Sequence, residues 1–289
     1  LNQHPWLLET SVVALGLCVG SFLNVVIYRL PVMMEREERQ YCGELLETAT
    51  EGSSDDEAFD LVRPNSHCPA CQHAIKPWEN IPVLSYLLLR GRCSECDTHI
   101  SLRYPAIEAL TGVLSLLLAW HFGSASLALL GALLFTWALI ALTMIDIDHM
   151  LLPDSITLPL LWLGLLINLN GTYATLSDAV IGAIAGYLVL WTVYWLFKLA
   201  TGKEGMGYGD FKLLAALGAW MGWQVLPLII ILSSVVGIVL GALVLFAQRK
   251  GREIPIPFGP YLAIAGWIAM LWGPQLLQWY WGSFAGNAA

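Results

Sequence analysis

Apolar residues in this chain come in long unbroken runs, not in strict alternation. A helix needs roughly 20 apolar residues to cross a bilayer, and continuous runs favour helices over a barrel. The pattern predicts spans over about 6–28, 104–121, 125–145, 155–170, 177–199, 211–223, 225–247 and 261–281. The sixth and seventh divide a stretch from Phe211 to Ala247 that is too long for one crossing, and "MGW" with Pro227 nearby is the expected break. The first run lacks a basic start and a small-residue cleavage site, so no cleavable signal peptide is expected. The reading divides the chain into a first transmembrane helix (1–28), a cytosolic loop (29–103) and membrane-embedded helices (104–289).

Composition agrees. Hydrophobic residues make up 57% of the chain and charged residues 12%, against about 25% charged in an ordinary soluble domain. With the N-terminus outside, eight spans place every Lys and Arg in or beside four cytosolic segments, about 29–103, 146–154, 200–210 and 248–260. The outer connections near 122–124, 171–176 and 222–224 carry none, which is the positive-inside pattern. The net charge of −8 arises in one place. Residues 32–62 hold ten acids against Arg36 and Arg39, and the rest of the chain is neutral. That stretch reads as a solvated, partly disordered insertion. No nucleic-acid partner is expected; the lipid bilayer is, and the oligomeric state is left open.

The loop carries two C-x-x-C pairs, Cys68/Cys71 and Cys93/Cys96, separated by 21 residues. Four thiolates suit a closed structural Zn²⁺ site, and a reducing cytosol disfavours disulfides. A redox role is the weaker alternative. Cys18 and Cys42 stand apart as bystanders, and His67, His73 and His99 flank a ligand set that four cysteines already complete. Between the pairs lies "KPWENIPVLSYLLLRGR", an amphipathic segment with Trp78, Leu84 and Leu87 beside Arg90 and Arg92. It reads as a zinc-braced hairpin lying on the inner leaflet, or else as a surface that helps hold a substrate or second cofactor. The fold expected is an all-α polytopic membrane protein, about eight transmembrane helices with a zinc-braced cytosolic loop domain over 68–96.

Ionisable residues at the edges of spans carry the chemistry. "MIDIDHMLLPD" supplies Asp146, Asp148 and Asp154 where the third span ends, and "GMGYGDF" supplies Asp210 where the sixth begins. The threading puts both stretches on the cytosolic side. Two carboxylates sharing a site hold one proton between them, so one can activate water while the other polarises a peptide carbonyl. Residues two apart lie about 200° apart on a helix, so only one of Asp146 and Asp148 can face Asp210, and periodicity does not choose between them. The bland reading makes these acids helix caps or partners of Lys212 and His149; "PDS" at Asp154 looks like a helix start. Gly205, Gly207 and Gly209 lack side chains, which would let an extended peptide approach the backbone. Asn24, Glu108 and Asn168 each need a partner within the bundle, and Asp178 reads as a helix cap.

"GSFLNVVIYRLP", the two C-x-x-C pairs, "ENIPVLSYLLLRGRC", "DIDHMLLPD" and "GMGYGDFKLLAALGAW" occur in order between about residues 16 and 260. Together they resemble the type IV prepilin peptidases, inner-membrane aspartic proteases of the G-x-G-D class. The resemblance implies cleavage of the basic leader of prepilins or pseudopilins at the cytosolic face. It implies Asp146, seven residues before Pro153, and Asp210 as the catalytic pair. It also implies N-methylation of the new terminus with S-adenosylmethionine, an activity tied in the family to the region of the cysteines, Gly91 and Arg92, where many relatives carry Lys at position 92. Two other readings stand beside it. A transporter or proton channel would carry its acids nearer the midplane and in related repeats, and a non-catalytic assembly factor would use the zinc loop for docking.

Overall fold

The computed structural model describes residues 5–45, 59–247 and 257–285. The middle of the acidic stretch, 46–58, and the basic residues Arg249, Lys250 and Arg252 lie outside the described residues. The chain divides into two compact units, Leu1–Ser124 and Ala125–Ala289.

In the first unit, helix α1 (Pro5–Leu45) pairs with α3 (Arg103–Phe122), and the loop between them holds a 3-10 turn (Pro77–Asn80) and the short helix α2 (Leu84–Leu88). Helix α1 has 41 residues, about 60 Å of rise, and so runs well past the expected end of the first span at residue 28. It passes through Pro31 and into the acidic stretch. Residues 33–45 are rich in Met, Glu and Arg, good helix formers, and Glu35 and Arg39 pair at 2.5 Å one turn apart. Charge alone suggested disorder here; local propensity favours helix. Arg29 is buried and donates to the carbonyls of Asp60 (2.9 Å) and Pro64 (2.6 Å), while Arg36 stacks over the Phe59 ring. These contacts tie the returning chain to α1.

The α1–α3 interface is made by small residues. A Cβ on Gly20 would lie 2.7 Å from the Glu108 Cα, and one on Gly16 would lie 2.6 Å from the Ser115 hydroxyl. The G-x-x-x-G spacing allows this close backbone approach. The polar groups at the seam are all satisfied: Thr111 and Ser115 donate back to Ile107 and Thr111 carbonyls at 2.7 Å, and Asn24 donates to the Tyr104 carbonyl at 3.2 Å.

The second unit contains α4 (Leu127–His149), α5 (Asp154–Ile167), α6 (Leu176–Thr201), α7 (Tyr208–Met221), α8 (Leu226–Ala247) and α9 (Gly259–Ala285). Helix α7 is its centre. From Asp210 to Met221 every residue but the half-buried Lys212 is buried, a nearly all-round apolar surface that suits a core helix. It packs closely on α6, where the backbones of Gly182 and Gly218 are so near that neither position has room for a Cβ. Its 14 residues rise only about 21 Å, and Gly222, at φ 82°, turns the chain into a 3-10 turn (Trp223–Val225) and then α8. The break therefore falls at the expected "MGW". At that end the Asn168 side chain donates to the carbonyls of Ala219 (3.0 Å) and Trp220 (2.8 Å) and accepts from the Tyr173 and Ala174 N–H groups. Carbonyls left over at a helix end need such partners. Trp220, fully buried, donates to the Leu160 carbonyl at 2.8 Å. At the start of α6 the cap is Thr175, which accepts from the Asp178 N–H; Asp178 answers from the third helical position.

Eight of the helices coincide with the eight apolar stretches of the sequence. Among the described residues, four of them, α1, α3, α4 and α6, are long and apolar enough to cross a membrane, and α5 and α8 contain shorter apolar helices. The chain is an all-α polytopic membrane protein. Gly182→Ala is expected to destabilise it by about 1–3 kcal/mol, the usual cost of overpacking a tight core. Ile184→Ala, which removes an exposed side chain from the same helix, should change the thermal midpoint in detergent little. Equal midpoints for the two variants would contradict the close α6–α7 packing.

Candidate functional site

The polar centre of the second unit forms where helix ends meet. Helix α4 stops at His149, and Met150, at φ 55°, caps it by donating its N–H to the Asp146 carbonyl at 2.9 Å. The Asp146 side chain is 5% exposed, and its Oδ2 accepts the N–H of Gly259, the first residue of α9, at 3.0 Å. Asp210 lies in the first turn of α7 and is 7% exposed. The two are brought into one locality by Leu152, which lies against Gly209 beside Asp210 and against Gly259, which in turn touches Asp146. The N-termini of α7 and α9 thus meet the C-terminal turn of α4 around two carboxylates. Helix N-termini offer unpaired N–H groups and the positive end of the dipole.

Asp148 is exposed, as a position two residues from an inward-facing Asp146 must be. The structure therefore makes the choice that periodicity left open. Asp154 begins α5 and accepts the Lys212 ammonium on both oxygens at 2.7 Å, the partnership the bland reading foresaw. Leu152, buried between the two aspartate-bearing helices, fills the space that glycines leave. A Cβ on Gly209 would lie 2.7 Å from the Leu152 Cβ, and one on Gly259 would lie 2.6 Å from Asp146 Oδ2.

The three glycines before Asp210 differ in their surroundings. Gly209 is closed by Leu152, and Gly205 stands against the Phe197 ring. Gly207 is exposed and extended (φ −82°, ψ 151°), and the nearest atom to a Cβ there would be Asp210 Oδ2 at 3.9 Å. The loop leading to it is held by Lys198, which donates to Glu204 at 2.8 Å and to the Tyr194 hydroxyl at 3.2 Å. That ammonium keeps the Glu204 carboxyl below its usual range.

In the first unit the four cysteines converge. The sulfurs of Cys68, Cys71, Cys93 and Cys96 all lie within 4.8 Å of one another, with Cys68–Cys96 at 3.8 Å and Cys71–Cys93 at 3.9 Å. A tetrahedral Zn²⁺ with bonds of about 2.3 Å has sulfur–sulfur edges of about 3.8 Å, so the cluster fits the ion. Each pair sits in a turn of the same shape. Cys68 donates its N–H to His73 and Cys93 donates to Thr98, and Gln72 and Asp97, each just after the second cysteine, have positive φ. The Thr98 hydroxyl, 3.2 Å from Cys96, and then its backbone N–H lower that thiol to about 6. The thiolate is the form that binds metal.

Glu79 braces the two halves of the cluster. It accepts from the Lys76 N–H at 2.9 Å and from the Ser94 hydroxyl at 2.8 Å, and contacts His73 Nε2 at 3.2 Å. The Lys76 N–H first, then Ser94 and His73, bring its carboxyl down to about 2. Of the residues the sequence marked beside the cluster, Gly91 is buried at φ 69°, with the Tyr86 hydroxyl 2.8 Å from where a Cβ would stand. Arg92 is exposed.

A buried aspartate pair on an all-helical membrane scaffold, with a four-thiol cluster in its loop, defines the class: a polytopic membrane protein organised around two carboxylates. Residues 14–122 match the model of the Bacterial Peptidase A24 N-terminal domain, and residues 133–242 match that of the Type IV leader peptidase family. The chain is similar to proteins named prepilin leader peptidase/N-methyltransferase. That of Stutzerimonas stutzeri is 59% identical over 281 residues, 97% of this chain and 96% of the relative. That of Pseudomonas aeruginosa is 57% identical over the same shares, and that of Legionella pneumophila 48% identical over 280 residues, again with shares of 97% and 96%. The chain belongs to the type IV leader peptidase family. No solved structure matches it.

Three participants had no weight in the sequence reading: Gly259, Leu152 and Glu79. "FGP" was a visible signal, since Pro in the first turn marks a helix start, but nothing local tied Gly259 to Asp146. The Asp154–Lys212 pair is partly solvated, with side-chain exposures of 53% and 28%. Such pairs contribute about 0–1 kcal/mol. A double-mutant cycle of Asp154→Asn and Lys212→Met, read by unfolding in detergent, is expected to give a coupling energy below about 1 kcal/mol. A larger value would mean that the pair is dehydrated in the membrane.

Proposed function

We propose that this chain is an aspartic endopeptidase that removes the leader peptide of prepilins or pseudopilins and then N-methylates the new terminus, with Asp146 and Asp210 as the catalytic pair. The observation that supports the assignment is that both aspartates are buried in one locality, Asp146 on Gly259 and Asp210 beside Gly209, with Leu152 against both glycines. Two carboxylates this close share one proton. The ionised one takes a proton from water as the water oxygen attacks the scissile carbonyl. The protonated one donates to the carbonyl oxygen. As the tetrahedral intermediate collapses, the C–N bond breaks and the leaving amine receives a proton. The Gly259 N–H holds the Asp146 carboxyl in place through the cycle. Gly207 offers open, extended backbone beside Asp210, so a substrate strand is expected to pair there; Gly205 and Gly209 serve the packing that supports it.

The positive-inside distribution of Lys and Arg supports a multi-pass protein of the bacterial inner membrane, with a periplasmic N-terminus and the active site facing the cytosol. The four-thiol cluster is read as a structural zinc site held by Cys68, Cys71, Cys93 and Cys96. S-adenosylmethionine is the methyl donor that the relatives' second named activity calls for. Of the two candidates for holding it, Arg92 has an exposed guanidinium suited to a carboxylate, whereas Gly91 is already filled by Tyr86.

The purified protein should convert a prepilin into a product lacking its leader and, with S-adenosylmethionine, carrying one more methyl group, as read by mass spectrometry. Asp146→Asn and Asp210→Asn should each lower cleavage by about 10²–10⁴-fold with the thermal midpoint preserved. Cleavage that survives either change removes that residue from the mechanism. Gly259→Ala, which pushes on Asp146, should lower cleavage by about 10²-fold. Metal analysis should find about one zinc per chain, lost in Cys68→Ser; zinc retained in full by that variant would overturn the ligand set.

A further inference from the structure

A buried carboxylate in the first unit points to a membrane contact of the loop. Glu108 is five residues into α3 and 8% exposed. Its Oε2 accepts the Val83 N–H at 2.7 Å. Val83 is held at φ 60°, an uncommon conformation for a β-branched residue. The loop immediately before α2 is therefore fixed to a particular level of α3.

That level can be estimated. Helix α3 has 20 residues, about 30 Å, which only just matches the hydrocarbon thickness. Arg103 begins it, so Glu108 lies about 7 Å further along the helix axis. A loop hydrogen-bonded at Glu108 is drawn to the depth of the headgroups and upper acyl chains.

The side chains on that loop suit this depth. Leu84, Leu87 and Leu88 of α2 are 51%, 65% and 71% exposed, and Trp78 just before them is 64% exposed. So large an apolar display on five helical residues is unfavourable in water. It is continuous in character with α3 itself, which exposes Val113, Leu117 and Trp120 on one face at spacings of four and three. Arg90, also exposed, follows directly; such a side chain buries its stem and extends its charge to the headgroups.

We infer that α2 and the turn before it are inserted into the interface of the lipid bilayer, with Leu84, Leu87 and Leu88 among the acyl chains and Glu108 of α3 holding the insertion in place. The occupant of this face is lipid, not the peptide substrate and not a second copy of the chain. The bond to Glu108 fixes the depth, and the leucines supply the apolar contact.

The test uses the full chain in vesicles of phosphatidylethanolamine and phosphatidylglycerol. A photoreactive benzoylphenylalanine replaces Leu87 or Leu88, with Leu84 as a third position should either variant fail to assemble. The same group at Asn65, exposed in the same loop, is the control. After irradiation, mass spectrometry should find lipid adducts at the leucine positions and none at Asn65. Adducts formed within the chain or with a second copy, an absence of lipid adducts, or capture of added prepilin in place of lipid would each overturn the inference.

Discussion

A helix buried on every side has no place for a charge except at its ends. Helix α7 is nearly such a helix, with Leu213 to Met221 all buried and its one Lys, Lys212, in the first turn. The second unit is arranged around that constraint. At the C-terminal end of α7, the Asn168 amide takes up two carbonyls and two N–H groups in one knot. At the N-terminal end the polar group is a carboxylate, and the group beside it is another carboxylate instead of a base. The two ends are therefore closed by different chemistry, an amide at one and carboxylates at the other.

The first unit solves the same problem differently. Its buried hydroxyls bond back to their own helix, Asn24 finds the Tyr104 carbonyl, and Glu108 accepts a loop N–H. Buried polar groups cost stability unless they are partnered, and at this seam the partners also fix where the loop starts and returns. Glu79 repeats the logic outside the membrane, since one carboxylate joins the Lys76 turn to the Ser94 turn and so holds the cysteine pairs in register.

Sequence reached the parts of this architecture that depend on local pattern. Apolar run length located the helices, the two C-x-x-C pairs announced the thiol cluster, and "MGW" marked the break that Gly222 makes. What stayed out of reach depends on long-range contact. Asp146 and Asp148 are alike to any periodicity, and only the packing of α4 turns one inward. Gly259 is 113 residues from the Asp146 it bonds, and no local feature of "PFGPY" reports that contact. The acidic stretch differs in its first part: net charge argued for partial disorder over 32–62, whereas the Met, Glu and Arg residues before Leu45 prolong α1 and 46–58 lie outside the described residues. The glycines of the G-x-G-D element were visible, yet two of the three answer to side chains that the sequence could not connect with them, Phe197 and Leu152.

The geometry of the aspartate pair is set by a short circuit of the chain. Asp146 caps its own helix end through Met150; Leu152 wedges against Gly209 and Gly259; Asp154 grips Lys212, two residues beyond Asp210. From one aspartate to the other, the path runs through nine residues of backbone, one buried leucine and one ion pair. No span has to shift to bring the acids together. A relay that moves protons across a membrane needs acids staggered through its depth and a state in which they separate. A hydrolase needs its two carboxyls held at one distance around one water. Gly209 and Gly259 stand where an added side chain would press on that circuit, and the proposed hydrolase reading depends on its staying closed.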